Sequence, residues 1–364
     1  MGNIDRLFRS EIEDIPVYIP GKPIAEVKRE LGLKNIIKLA SNENPLGPSP
    51  KALQAVKKAL KSVFLYPEGS GILLKQKIAK KLGLRPSNII LGNGSDELIE
   101  IIGKTVLNPE DEIIISADGF IRYKMAGDLM GCRVITVPSK EYKHDLAGMK
   151  AAITPKTKVV FIINPNNPTG TYVTDRELNE FFQGLREDII VVFDEAYYEY
   201  ATQKDYPQTM DYLKQGKNVI ILRTFSKIYA LAGLRVGYGL AGEELVSYLE
   251  RVRPPFNVNS LAQVAAEVSL DDKQQIKRSL GLVEKEKKKL YRELDKLPVA
   301  YIPSAANFVL IDLKREAGEI CKKLLASGVI VRPMGEYKLP NCLRVTIGLP
   351  AENKRFIREL KKQV

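Results

Sequence analysis

Among 364 residues there is one histidine and no tryptophan. A lone imidazole, His144, rules out metal centres built on several histidines and leaves a serine–histidine relay almost no material. Proton transfer at a reactive centre must then fall to lysine, tyrosine or a carboxylate. His144 lies in the turn-like stretch Tyr142-Lys143-His144-Asp145 and is expected at the surface. Cys132, Cys321 and Cys342 are odd in number and have no metal-ligand spacing, so they are expected as reduced thiols, with no metal. No apolar run approaches the roughly 18 residues that a membrane helix needs. Residues 1–10 mix charges with apolar side chains and present no apolar signal core. The expectation is a cytoplasmic protein.

What is present is ordinary globular composition, with 45% hydrophobic and 27% charged residues. The length favours one large and one smaller domain. The formal net charge of +12 fits either a nucleic-acid binder or a lysine-rich solvated surface. The basic pairs, such as Lys57-Lys58, Lys80-Lys81 and Lys361-Lys362, are scattered and have no interleaved aromatics. That favours the solvated surface, whose field attracts anionic ligands, and no nucleic-acid partner is expected.

Seven runs rich in valine and isoleucine recur at 88–91, Glu112–Ser116, Arg133–Val137, 158–163, 189–193, 218–222 and 234–240. Their apolar character is continuous, which indicates strands buried on both faces. Helical stretches at 96–104 and 175–185 lie between them. The alternation predicts an open α/β layered domain with a mainly parallel sheet. Beyond Pro254-Pro255 the pattern changes to a long charged helix at 272–297, a strand at 307–313, a helix at Ala317–Ala326, strands at 329–331 and 343–347, and a helix from Ala351. This reads as a smaller α+β domain. The expected division is an N-terminal arm with part of the small domain at 1–48, a large domain at 49–253 and a small C-terminal domain at 254–364.

Four polar motifs follow four of these runs, and in an open α/β sheet ligands bind at the carboxyl ends of the strands. Gly92-Asn93-Gly94-Ser95-Asp96-Glu97 opens a helix; its small residues suit an anion at a helix N-terminus, though Ser95 and Asp96 are equally ordinary capping residues. Asn164-Pro165-Asn166-Asn167-Pro168-Thr169-Gly170 either presents Asn167 rigidly or forms a plain tight turn. Asp194-Glu195-Ala196-Tyr197 puts a carboxylate at the end of a buried strand, where it needs a cationic partner. A protonated pyridine nitrogen would serve; a metal ion is the rival, unsupported by imidazoles or clustered acids. Thr224-Phe225-Ser226-Lys227, with Arg235 eight residues on, combines a lysine able to form a Schiff base with a hydroxyl and a guanidinium suited to phosphate. Lysine for an aldehyde, acid for a ring nitrogen and donors for a phosphate together make an electron-sink arrangement. Gly237-Tyr238-Gly239-Leu240-Ala241-Gly242 matches the dinucleotide fingerprint literally. It comes after several strands, with its first glycines inside an apolar run, so no dinucleotide site is expected.

At these motifs the chain resembles the fold-type I aminotransferases that use pyridoxal 5′-phosphate (PLP), and within them the histidinol-phosphate aminotransferase branch. The resemblance extends from Tyr18-Ile19-Pro20-Gly21 and Asn42-Glu43-Asn44-Pro45 through Tyr66-Pro67-Glu68-Gly69 to Ala306-Asn307-Phe308, Val331-Arg332 and Leu343-Arg344-Val345-Thr346. It implies a large domain with a seven-stranded, mainly parallel sheet and a smaller α+β domain. It also implies Lys227 as the Schiff-base lysine and proton carrier, and Asp194 as partner of the ring nitrogen. Asn167 and Tyr197 would hydrogen-bond the phenolic oxygen and Phe120 would stack on the ring. Ser95, Asp96, Thr224, Ser226 and Arg235 would surround the phosphate, and Tyr66 would reach the site of a second subunit in a homodimer. Tyr18, Asn44, Asn307, Arg332 and Arg344 would contact substrate. Two segments depart from the family pattern: no proline shortly precedes Phe120, and Lys227-Ile228-Tyr229-Ala230 stands where Lys-Ala-Tyr-Gly is more usual. The activity implied is amino transfer from L-histidinol phosphate to 2-oxoglutarate in histidine biosynthesis. The alternatives are an aromatic amino-acid aminotransferase, a threonine-phosphate decarboxylase and a non-enzymatic regulator on the same fold.

Overall fold

Short strands that are apolar on both sides must be covered on both sides, and the seven runs achieve this together in one sheet. The structure is a computed structural model and describes residues 7–13, 15, 17 and 21–364. A two-residue strand, β1 (Ile37–Lys38), comes first; the large sheet is then built from β2 (Ile89–Gly92), β3 (Glu112–Ser116), β4 (Arg133–Val137), β5 (Thr157–Ile163), β6 (Ile190–Asp194), β7 (Val219–Thr224) and β8 (Gly237–Leu240). Their order across the sheet is β2-β8-β7-β6-β5-β3-β4. Neighbours run parallel except at β8, which is antiparallel to both β7 and β2. Because β8 alone reverses, β2, β5, β6 and β7 all finish at the same edge of the sheet.

The continuous apolar runs are explained by the two faces. Ile114, Val160, Ile162, Val191, Phe193 and Ile221 pack into one core cluster, and the residues between them, Ile113, Ile115, Phe161, Val192 and Ile220, into another. Alternate side chains of a strand point to opposite faces, so both sets must be apolar. The helix Ser95–Val106 covers the second face with Leu98, Ile99, Ile101 and Ile102. The expectation of two-sided burial fails at β4, where Arg133 and Thr136 are exposed. That strand is at the edge of the sheet, with a neighbour on one side only.

The C-terminal part forms a four-stranded antiparallel sheet. Its strands are β9 (Ala300–Ile302), β10 (Phe308–Asp312), β12 (Arg332–Pro333) and β13 (Cys342–Thr346), in the order β12-β13-β10-β9. The strand expected at 329–331 ends at Ile330, and a separate strand begins after Val331. β11 (Val329–Ile330) pairs in parallel with β1, and β12 joins β13. Pairing of β1 with β11 ties the N-terminal segment to the C-terminal part. The long charged helix is Lys273–Leu294, begun by Asp272, whose carboxylate accepts from the Gln275 N–H at 3.0 Å. The run at 234–240 is strand only from Gly237: Ala232–Leu234 is a 3₁₀ turn and Arg235 has a left-handed backbone, φ 55°.

His144 is not at the surface. It is 6% exposed, with Nε2 3.0 Å from the carbonyl oxygen and 3.2 Å from the amide nitrogen of Ile163. Burial pushes the imidazole pKa down to about 4. The unfolded chain would bind this proton near the usual ~6.5, so between those values the unfolded state holds more protons. Stability therefore falls as pH drops through that window, by about 3 kcal/mol from this group. As the only histidine, its NMR signals are unambiguous. They should remain those of a neutral ring from pH 7 down to pH 5 in the folded protein; a transition near 6.5 would contradict this.

Candidate active site

The four motif loops meet where β2, β5, β6 and β7 end, around a cavity of about 300 Å³. At its floor is Asp194, the last residue of β6 and 6% exposed. Its Oδ2 accepts from the hydroxyl of Tyr123 and its Oδ1 from the Ala196 N–H at 3.0 Å. Burial raises the carboxyl pKa above the usual range, and the Tyr123 hydrogen bond opposes that rise. Tyr123 was not singled out from the sequence. It lies in the first turn of the helix Ile121–Leu129, whose N-cap is Phe120. Phe120 lines the cavity and meets the Tyr123 ring edge-on at 6.0 Å.

Lys227, in the loop after β7, also lines the cavity; its Nζ donates to the Ser41 carbonyl at 3.3 Å and lies 5.6 Å from the Tyr197 ring centre. Tyr197 is buried, with its ring against Phe308, and its hydroxyl accepts from the Asn42 amide at 2.9 Å. In the same loop Ala230 has φ 58°, the left-handed region that explains why glycine is the usual residue there.

An anion cradle lies beside this group. The helix Ser95–Val106 starts at Gly94, which supplies no side-chain cap, so the first N–H groups face the cavity edge lined by Ser95 and Asp96. Thr224, Ser226 and Arg235 line the cavity too; Arg235 Nη1 donates to Ser226 Oγ at 3.3 Å. The Asp96 carboxylate accepts from Arg122 at 2.8 Å, which leaves its backbone N–H as the group suited to phosphate. Two glycines keep the cradle compact. A Cβ on Gly94 would sit 2.4 Å from Arg235 Nη2, and one on Gly237 would sit 2.4 Å from the Ser95 nitrogen. Gly237 pairs with both Gly92 and Thr224, so it brings the two halves of the cradle together. Of the glycines that imitate a dinucleotide fingerprint, Gly237 and Gly239 are thus explained by close packing.

On the opposite side, Arg344 of β13 donates Nη1 to Asn167 Oδ1 and Nη2 to the Ala40 carbonyl at 2.8 Å. Asn167 lines the cavity and keeps its amide nitrogen for another acceptor. Arg332 also lines the cavity and donates to Glu336 Oε1 from Nη2 at 2.6 Å and from Nε at 3.1 Å. Asn44 is not at the cavity. Its amide nitrogen donates at 2.8 Å to the Ile228 carbonyl and to Ser279 Oγ, bracing the loop that carries Lys227. Asn42, two residues earlier and with φ 56°, lines the cavity instead. Asn307 lies one layer behind, donating to the Asn42 carbonyl at 3.0 Å. Tyr66 is 83% exposed, stacked on Phe256 and outside the cavity. Tyr18 lies outside the described residues.

These residues fit PLP. A buried carboxylate needs a cation where a ring nitrogen would sit, a lysine faces it, and a helix N-terminus with a guanidinium and hydroxyls awaits a phosphate. Among the described residues no cluster of His, Cys, Asp or Glu could hold a metal ion.

The chain belongs to the class I and II aminotransferase family, matched over residues 34–360. It is 49% identical over 355 residues to a histidinol-phosphate aminotransferase of Moorella thermoacetica, covering 97% of this chain and 92% of that protein. It is 47% identical over 356 residues to that of Caldicellulosiruptor saccharolyticus, covering 98% and 99%. The crystal structure of histidinol-phosphate aminotransferase from Sinorhizobium meliloti in complex with pyridoxal-5′-phosphate superposes with a TM-score of 0.90 at 28% identity, covering 98% of each chain.

Gly94→Ala should weaken PLP binding at least ~10-fold, because the methyl group displaces Arg235, and the positive φ adds about 1 kcal/mol of backbone strain. Equilibrium titration of the apo-protein with PLP checks this; unchanged affinity would contradict the cradle.

Proposed function

We propose that the protein transfers the amino group of L-histidinol phosphate to 2-oxoglutarate, giving imidazole acetol phosphate and glutamate, as a PLP-dependent enzyme of histidine biosynthesis. The observation that carries the donor is the near-50% identity, over almost the whole chain, to enzymes named for it. Two guanidiniums at the cavity, Arg332 and Arg344, suit a phosphate ester.

Bound PLP supplies an electron sink for the charge left when the substrate α-carbon loses its proton. Lys227 would hold the cofactor through its Nζ, and its amine, which lines the cavity, would serve as the base that takes up and returns the proton of the substrate α-carbon. Asp194 holds the ring nitrogen. The Asn167 amide nitrogen and the Tyr197 hydroxyl orient the phenolic oxygen, and Phe120 covers one face of the ring. Ser95, Thr224, Ser226 and Arg235, with the N–H groups of the helix start, hold the phosphate. No imidazole takes part, consistent with His144 being engaged with Ile163.

The working form is a homodimer in the cytoplasm. Leu60, Val63, Phe64, Leu65, Tyr66 and Leu73 are all half or more exposed, an apolar band larger than scattered surface residues leave. A second copy covers it and receives Tyr66 at its phosphate. Among the described residues no helix is long and apolar enough to cross a membrane. Sedimentation should give twice the chain mass, and Phe64→Asp should shift it towards the monomer.

An aromatic amino-acid donor is the second reading, favoured by the engagement of Arg332 with Glu336, which reduces the positive charge on offer to a phosphate. The two readings separate in half-reaction titrations that follow the visible absorption of the PLP-loaded protein. L-Histidinol phosphate should discharge the band much more efficiently than L-phenylalanine. Arg332→Leu should raise KM for the phosphorylated donor at least ~10-fold, the loss of a charged hydrogen bond. Conversion by phenylalanine alone would move the enzyme to aromatic metabolism, and carbon dioxide release without amino transfer would make it a lyase. Borohydride reduction followed by peptide mapping should place the cofactor on Lys227, and Lys227→Ala should abolish turnover.

A further inference from the structure

The hydroxyl of Tyr123 reaches the carboxylate assigned to the cofactor's ring nitrogen. Tyr123 is 1% exposed, its ring stacked 4.7 Å from Phe161 and its hydroxyl donating to Asp194 Oδ2. Burial and the Asp194 charge hold the phenol pKa well above its usual value, so the hydroxyl keeps its proton and acts here as a donor. A phenylalanine would fill the same apolar space, so the hydroxyl's contribution is this hydrogen bond.

A carboxylate facing a pyridine in a dry site can share one proton in two ways: as carboxylate with pyridinium, or as carboxylic acid with neutral pyridine. Desolvation favours the neutral pair, and donors to the carboxylate favour the ionic one. Asp194 has two such donors, the Tyr123 hydroxyl and the Ala196 N–H. Of the charged groups facing it, Asp96 works against the carboxylate and Lys227 works for it.

We propose that Tyr123 is a positioning residue that holds the Asp194–pyridine pair in its ionic form, so that the shared proton stays on the ring nitrogen. Only a cationic ring withdraws electrons strongly, so the hydroxyl acts on the rate through Asp194 without touching substrate. The inference rests on the assignment of Asp194 to the ring nitrogen of PLP.

The test uses protein reconstituted with PLP labelled with ¹⁵N in the ring. In the wild type the ¹⁵N signal should be that of a protonated nitrogen. In Tyr123→Phe it should move towards neutral pyridine, with kcat reduced ~10-fold or more and KM for the donor within about twofold. Borohydride should still place the cofactor on Lys227 in the variant, and an unchanged melting temperature of the apo-protein would show intact packing on Phe161. Added to Asp194→Asn, Tyr123→Phe should have no further effect on kcat, because its route of action is gone. An unchanged ¹⁵N signal in Tyr123→Phe, or a full additional loss in the double variant, would overturn the proposal. An unprotonated ring nitrogen in wild type whose Lys227 carries the borohydride-reduced cofactor would overturn this inference, because the pair would then be neutral, while leaving the Asp194 assignment and the site. A label elsewhere would overturn the site itself.

Discussion

A buried negative charge at the end of β6 is the constraint around which the site is arranged. An uncompensated ionised carboxylate in a protein interior costs several kcal/mol, so Asp194 and Glu195, adjacent and both buried, must each be answered. They are answered on different sides. Glu195 turns away from the cavity, accepts from Arg223 at 2.8 Å and from Thr209, while the Arg223 guanidinium stacks on Tyr198 at 3.8 Å. Asp194 turns into the cavity, where Tyr123 and the Ala196 N–H satisfy it in part. The neighbouring strand repeats the alternation: Arg223 goes to Glu195, and the next residue, Thr224, lines the cavity. One acid is closed off as an internal ion pair and the other is left facing the cavity, where a cation would satisfy it.

The anion cradle follows from the one reversed strand. Inserting β8 antiparallel between β2 and β7 brings the ends of those two strands to either side of Gly237, and the absence of a side chain there lets the start of the helix Ser95–Val106 approach. Helix N–H groups, hydroxyls and Arg235 then converge without a long loop. The opposite side of the cavity is built differently, from the antiparallel C-terminal sheet and the N-terminal segment. Arg344 and Thr346 of β13, with Asn307 at the start of β10, hold residues 40–42 through hydrogen bonds to Ala40 and Asn42. Asn42 in turn reaches Tyr197, so the C-terminal sheet and the loop after β6 are mechanically joined at the cavity.

Seven strands, the two-sided burial of all but the edge strand β4, and the four motif loops were legible in the sequence because each leaves a local mark: continuous branched apolar runs, then Gly, Asn-Pro, Asp or Ser-Lys at the ends of four of them. Lys227, Asp194, Asn167, Tyr197 and Arg235 could be named from those marks, and the structure gathers them at one cavity. The family resemblance extended the reading to Arg332 and Arg344. What sequence could not supply was anything decided by a partner distant in the chain. Tyr123 bears on Asp194, seventy-one residues away, and no spacing announces it. Asn44 and Asn42 share one polar segment, and only the left-handed backbone at 42 and the positions of Ile228 and Ser279 decide which amide faces the cavity. His144 looked exposed because its neighbours are polar, but it is buried with its ring against the backbone of Ile163. Local chemistry is written in the order of residues; which side chain meets which depends on strand order, register and burial, and these exist only once the chain has folded.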